Sequence, residues 1–312
     1  MKRQGIIGVD IGGTKTAVVE GTDDGGIIRR IQFATAPERG FDSVFDDIVC
    51  GIEELAASAT HAIVALSVAV GGPLDVLQGI VLSPPHLPGW DRIPLKQLLG
   101  ERCTFPVYVE HDGNAGALAE WYFGAGRGTR SMVFLTMGTG FGAGLILDGR
   151  LYRGASDVAG EVGHVRIAED GPDCYGKAGS LEGYASGTGI ARLAQSLFPL
   201  RWPSPPDMVL LTAAARSGDP DALKVFATAS RYFGRGLAML ADTLNPERII
   251  LGGLGMRLTD ILVTPALRVF NEEALPRAAA VCSIVPAALG ESIGDIASLC
   301  AAFDQGHLLR EP

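Results

Sequence analysis

The 312-residue chain carries a formal charge of −9, a pI near 5.1 and 47% hydrophobic residues, enough apolar material for one large domain or two smaller ones. Its acidity argues against nucleic acid or an anionic membrane as partner, since both call for basic patches. No apolar run approaches the roughly 18 to 20 residues of a membrane span, and "MKRQ" leads straight into strand-like sequence without a signal-peptide core, so a cytoplasmic protein is expected. The five cysteines are scattered with no CxxC pair, which predicts reduced thiols, with Cys50 and Cys300 filling cores.

In chain order, "GIIGVDIGGTKTAVVEG" reads as a strand (Ile6 to Ile11), a Gly-Gly turn and a second strand (Thr16 to Glu20). An amphipathic helix is expected over Phe41 to Ala59 and a buried strand over Ile63 to Val70. "VYVEHDGNAGALAE" predicts a strand at Val107 to Val109 and a helix from Ala115, capped by Asn114 or Asp112, with Glu110, His111 and Asp112 between them. "MVFLTMGTGFGAGLILDG" repeats the strand, glycine turn and strand of the N-terminus, which suggests one design used twice in two related lobes. A loop-rich stretch to about Gly189 follows, then a helix before Gly218. A long helix comes next, with Asp219 as N-cap, Pro220 at its first position and Asn245-Pro246 at its end. "RIILGGLG" is a strand entering a glycine turn and a helix.

Backbone N–H groups in the "GVDIGGTK" turn suit phosphate oxygens, with Thr14 as a further donor and Asp10 holding Mg²⁺ directly or through water. A ligand-free glycine hairpin reads the same way. It is not a P-loop, because Thr14-Lys15 reverses the required order and a strand follows instead of a helix. "MGTGFGAG" does not open a helix and so disfavours a dinucleotide site; two glycine hairpins suit a triphosphate gripped between lobes.

Together, "GVDIGGTKTAVVEG", "VAVGGPLD", "LPGW", "HDGNAGALAEWYFGAG", "LTMGTGFGAGLILDGRLYRG", "AGEVGHV", "LEGYASGTGI", "IILGGLG" and "LGESIGDIASLCAA" resemble the ROK family of sugar kinases, within the actin-like ATPase superfamily. The resemblance implies an α/β, two-lobed actin-like (ribonuclease H-like) fold, with ATP and sugar in the interlobe cleft. It places the N-terminal lobe at 1–117, with about 297–312 packing back on it, and the C-terminal lobe at 118–296. It implies Asp112 as catalytic base, in keeping with a sugar hydroxyl too weakly acidic to ionise at neutral pH. It implies sugar contacts from Gly71, His86, His111, Asp112, Glu161, His164 and Glu182. ATP and Mg²⁺ are implied as cofactors, with Asp10, Gly12, Gly13, Thr14, Lys15, Gly138, Thr139 and Gly140 at the phosphates and Gly252 and Gly253 near the purine or ribose. A homodimer is expected.

The chain departs from the family twice. Where many members carry the zinc-binding run CxCGxxGC, this chain has "DCYGKAGS", with Asp173, Tyr175 and Ser180 at the cysteine positions and Cys174 on the spacer. No zinc is expected, and Tyr175 and Tyr184 are expected to hold the loop by packing. His86 and His111 replace asparagines of many relatives, so the hydroxyl pattern recognised can differ from that of glucose. Two rivals follow from the family: a catalytically weak sugar sensor or scaffold, and a transcriptional repressor, disfavoured by the acidic charge and a first motif already at Gly8. Polyphosphate is an alternative donor. A half di-iron site at Glu161 and His164 lacks its second copy, and for His164 a buried structural role is the plain alternative.

Overall fold

The computed structural model describes residues 3–309. The chain forms two compact units: the residues up to Gly124 with Arg153–Val158 and the stretch from Leu289 on, and Ala125–Tyr152 with Ala159–Ala288.

In the first unit, β1 (Gly5–Ile11), β2 (Lys15–Thr22), β3 (Ile27–Ala34), β4 (Ile63–Val70) and β7 (Val107–His111) make a sheet of order β3-β2-β1-β4-β7. A small hairpin, β5 (Leu74–Asp75) and β6 (Ile80–Val81), lies between β4 and β7 in sequence. β1 and β2 pair antiparallel, as do β2 and β3, whereas β1, β4 and β7 run parallel. β4 is apolar except for Ser67, because a central strand is buried on both faces. On one face Ile7, Val9 and Ile11 share a core with Val44, Ile48 and Ile52 of α1 (Phe41–Ala57), which ends two residues short of the expected Ala59. On the other face Gly8 admits the C-terminal helix Ile293–Gly306: a Cβ there would fall 2.2 Å from Ser298 Oγ and 2.9 Å from Leu299 Cδ2. Two more helices complete the unit, α2 (Leu95–Arg102) and α3 (Asp112–Phe123).

The second unit repeats the plan. β8 (Met132–Met137), β9 (Phe141–Leu147) and β10 (Arg150–Leu151) form an antiparallel meander, beside which β13 (Arg248–Leu251) and β14 (Ser283–Pro286) run parallel, giving the order β10-β9-β8-β13-β14. The predicted duplication is therefore present as sheet topology. Between β10 and β13 lie the hairpin β11 (Asp173–Cys174) and β12 (Lys177–Ala178), then α4 (Glu182–Ala185), α5 (Gly187–Leu197), α6 (Met208–Arg216) and α7 (Pro220–Leu244). The stretch expected to be loop up to Gly189 thus turns helical at Glu182, after two short strands. α7 matches its sequence signals: Asp219 Oδ1 accepts from the N–H groups of Asp221 and Ala222, Pro220 opens the helix, and Asn245 closes it at φ 45°. Phe226, Phe233 and Leu237 of α7 are buried in the core. α8 (Leu254–Arg257), α9 (Thr264–Glu273) and α10 (Pro276–Val281) follow.

Cys300 is buried as expected, but Cys50 is exposed, so the assignment of Cys50 to a core is corrected: it lies on the solvent side of α1. Among the described residues no helix is long and apolar enough to cross a membrane. Because Gly8 has no room for a methyl group, Gly8→Ala should lower stability by about 1–3 kcal/mol through overpacking, read as a shift in the urea midpoint with an unchanged m-value.

Candidate active site

In the first unit the predicted residues gather at the C-terminal ends of β1, β4 and β7. The β1–β2 turn is closed by Gly12 N–H donating to Lys15 O (3.1 Å), and Thr35 Oγ1 donates to Gly12 O (2.6 Å), leaving Thr14 and Lys15 exposed. Asp10, largely buried at the end of β1, has its pKa raised to about 6, chiefly by burial and then by the nearby carboxylates of Asp112 and Asp295. A carboxylate short of solvent and beside two others is a hard-oxygen site that a divalent cation would relieve. Mg²⁺ commonly binds through one such carboxylate plus phosphate oxygens and water, so the donor set fits.

Two adjacent glycines seat the two histidines. A Cβ on Gly71 would fall 2.3 Å from His86 Cε1 and Nε2 and 3.5 Å from Asp112 Oδ2, while a Cβ on Gly72 would fall 2.6 Å from His111 Cδ2. Gly13 meets the other side of His86, its Cβ position lying 2.8 Å from His86 O. The residues expected at the phosphates and those expected at the sugar therefore adjoin in this unit, through Gly13, His86 and Gly71. His86 is pushed below the ordinary imidazole pKa by burial of its ring and by His111, against the pull of Asp112, which favours a neutral ring.

The three consecutive ionisable side chains have three separate fates. Glu110 is fully buried and bonded to protein groups. His111, and neither Asn114 nor Asp112, is the N-cap of α3: the helix starts earlier than expected, and His111 Nδ1 accepts from Gly113 N–H (3.2 Å). A ring nitrogen that accepts carries no proton, so in this hydrogen-bond pattern Nε2 is the ring's N–H. Asp112, its side chain 52% exposed, accepts from Gly113 N–H at 2.7 Å and keeps its second oxygen near His86 and Gly71.

In the second unit, Gly160 and Gly163 let the "AGEVGH" loop lie on β9, since Cβ atoms there would fall 2.1 Å from Ala143 O and from Phe141 O respectively. That packing brings Glu161 and His164 to a hollow of about 40 Å³ shared with Cys174, Ser180 and Glu182. His164 is exposed, which removes the alternative of a buried structural histidine. Glu182 Oε2 accepts from Phe141 N–H (3.0 Å) and its carboxylate also meets the Cys174 thiol, yet burial holds its pKa above the ordinary carboxylate range. Ser180 Oγ has no hydrogen-bond partner among the described residues. Of the two tyrosines expected to hold the loop, Tyr184 does so: it is buried, stacks on Tyr232 at 4.1 Å and donates to Asp170 O. Tyr175 is corrected: it is 67% exposed, on a turn at a positive φ, and it borders the hollow of Glu161, His164 and Glu182 without being packed into a core. Among the described residues, no group of three or more His, Cys, Asp and Glu side chains is arranged to hold a metal ion.

The glycine residues of this unit meet at the C-terminal ends of β8 and β13. Gly187 N–H, at the start of α5, donates to Gly138 O (2.8 Å), and Thr188 N–H approaches Thr139 O (3.4 Å). Gly252 N–H donates to Leu135 O, and Gly253, at φ 52°, presses so close to Met137 O that a Cβ would stand 2.1 Å from it. Gly140 lies against Glu182, its Cβ position 3.3 Å from Oε2, so the glycine loop and the Glu161–His164–Glu182 group adjoin. Sequence reasoning gave no role to Glu110, Arg153, Gly72 or Cys174, although Glu110 stood out beside His111 and Asp112, Cys174 on the spacer of the altered zinc run and Gly72 in the Gly71-Gly72 doublet.

Because the folded-state pKa of Asp10 lies above its unfolded value, the folded protein binds the extra proton and loses stability as pH rises from about 4 to about 6. Asp10→Asn should therefore stabilise the protein by up to about 3 kcal/mol at pH 7 and not at pH 4, without added divalent cation, as read by denaturant unfolding at both pH values.

Comparison with known proteins agrees along the chain. The sequence profile of the ROK family matches residues 6–302. The glucokinase of Halalkalibacterium halodurans is 32% identical over 95% of this chain and 94% of its own length. The crystal structure of the ROK hexokinase from Thermus thermophilus superposes with a TM-score of 0.87 at 30% identity, covering 97% of this chain and 99% of that one. A ROK glucokinase from Streptomyces griseus, in complex with glucose and AMPPNP, superposes with a TM-score of 0.78 at 31% identity over 97% of this chain and 99% of its own. The chain, with its two repeated α/β units of the actin-like ATPase fold, belongs to the ROK family.

Proposed function

We propose that this chain is a sugar kinase that transfers the γ-phosphoryl group of ATP to a free hexose or N-acetylhexosamine, at the 6-hydroxyl, with Asp112 as general base. The observation that carries the assignment is the division of labour at the β7–α3 junction. Glu110 is committed to the interior and His111 to the helix cap, which leaves Asp112 as the half-exposed carboxylate beside His86 and Gly71. An acceptor hydroxyl there would give its proton to Asp112 as the phosphoryl group arrives.

Glu161, His164 and Glu182 orient sugar hydroxyls by accepting or donating in fixed directions. Gly12, Gly13, Thr14, Lys15 and Gly138–Gly140 line the triphosphate; Thr14 and Lys15 supply side-chain donors, the N–H groups of Gly12 and Gly138 close their own turns, and Gly252 and Gly253 border the nucleoside. Asp10 would hold Mg²⁺, which when bound neutralises charge on the phosphates. The glucose- and AMPPNP-bound relative supports ATP as donor. His111 offers one donor, Nε2–H, where an asparagine amide would offer a donor and an acceptor, so the sugar group that faces it must accept.

A coupled ADP-release assay with MgATP over hexoses, hexosamines and N-acetylhexosamines should show sugar-dependent turnover that Asp112→Ala lowers by about 10²–10⁴-fold with sugar binding still measurable. Retained turnover in that variant would remove Asp112 as base, and sugar binding without turnover in the wild type would favour a sensor. In the same panel His111→Asn should change the ratio of kcat/KM values between the best and second-best sugars by about tenfold or more, the scale of one gained or lost polar contact.

A further inference from the structure

We propose that Arg153 is a positioning residue for Asp112, acting through Glu110; this rests on the assignment of Asp112 as base. Arg153 opens a short segment, Arg153–Val158, that belongs to the first unit although it directly follows the second unit's β10. Arg153 stands at the end of the matching run "LTMGTGFGAGLILDGRLYRG", where the resemblance gives it no role, and its guanidinium reaches Glu110 at the β7–α3 junction.

The side chain of Glu110 has no exposed surface, and a carboxylate so placed stays ionised only if donors surround it. Its Oε2 accepts from Arg153 Nε at 3.0 Å and Nη2 at 2.5 Å, with Gln305 Nε2 at 3.4 Å. Its Oε1 accepts from His111 N–H at 3.0 Å and from Asn114 Nδ2 at 2.9 Å. One carboxylate thus ties the last residue of β7 to the first turn of α3, and Asp112 lies between the two tied points. Arg153 is fixed in turn by Asp304 Oδ2 at 2.5 Å, and Gln305 of the same C-terminal helix donates to Val109 O at 2.9 Å. Strand end, helix start and C-terminal helix converge on this guanidinium.

Removing Arg153 strips Glu110 Oε2 of its two shortest donors in a site sealed from solvent, so the carboxylate must turn toward other partners, which weakens its hold on His111 and Asn114. The backbone carrying Asp112 then loosens, and a displacement of about 1 Å at a reacting group costs on the order of 10²-fold in rate. Lysine is no substitute, because Arg153 serves Glu110 through two nitrogens while one of them also serves Asp304.

The test uses the full-length protein in four forms: wild type, Arg153→Met, Asp112→Asn and the two substitutions combined. Arg153→Met should lower kcat by about 10- to 100-fold while sugar Kd by calorimetry stays within about threefold. On the Asp112→Asn background it should lower the residual kcat by less than about twofold, since a residue that acts through Asp112 has nothing left to position. An equal loss on both backgrounds, or wild-type kcat in Arg153→Met, overturns the proposal. If Arg153→Met does not fold, Glu110→Gln/Arg153→Met removes both buried charges and is read by the same two comparisons. Wild-type turnover in Asp112→Asn overturns the base assignment and this proposal together, whereas a dead Asp112→Asn beside an unaffected Arg153→Met overturns this proposal alone.

Discussion

A carboxylate sealed from water beside one that must reach substrate sets the terms for the rest of the first unit. Glu110 and Asp112 are two residues apart at the junction of β7 and α3, and the strand-to-helix turn sends them to opposite environments. The buried carboxylate of Glu110 is satisfied by Arg153, Asn114 and a backbone N–H. Those partners in turn require the C-terminal helix to return beside β1 and β4, which the missing side chain of Gly8 permits. The half-exposed carboxylate of Asp112 is the end result of that chain of dependencies.

Glycine serves the site here mainly by absence of bulk. Neither Gly71 nor Gly72 takes a positive φ; what they supply is the space in which the imidazoles of His86 and His111 lie. Gly160 and Gly163 do the same for the loop that carries Glu161 and His164, although Gly160 also adopts φ 101°. The geometry of these side chains thus follows from how closely the glycine backbone lets its neighbours approach.

The elements with strong local signals were legible in the sequence. β4 was read to the residue from its apolar run, and α7 from Asp219, Pro220 and Asn245, because propensity, capping and burial all agree there. The start of α3 was misplaced because a histidine side chain does the capping, a role that Asp, Asn or Ser usually fills. The Glu110–Arg153 pair left no trace in the sequence, since the partners belong to different elements and the contact exists only once the C-terminal helix has docked. The fold and the glycine loops were readable through the family resemblance. The ways Cys174 meets Glu182 and Tyr175 stays in solvent belong to this chain's own loop, where the resemblance fails.

The most direct measurement is a single-turnover one on Asp112→Asn, which keeps the shape of the side chain and removes its basicity. With enzyme in excess over radiolabelled ATP and sugar saturating, phosphoryl transfer to the sugar should be slowed by at least about 10²-fold while the calorimetric sugar Kd stays within about threefold of wild type. Transfer at the wild-type single-turnover rate would contradict the account, because the acceptor proton would then be leaving to some group other than Asp112.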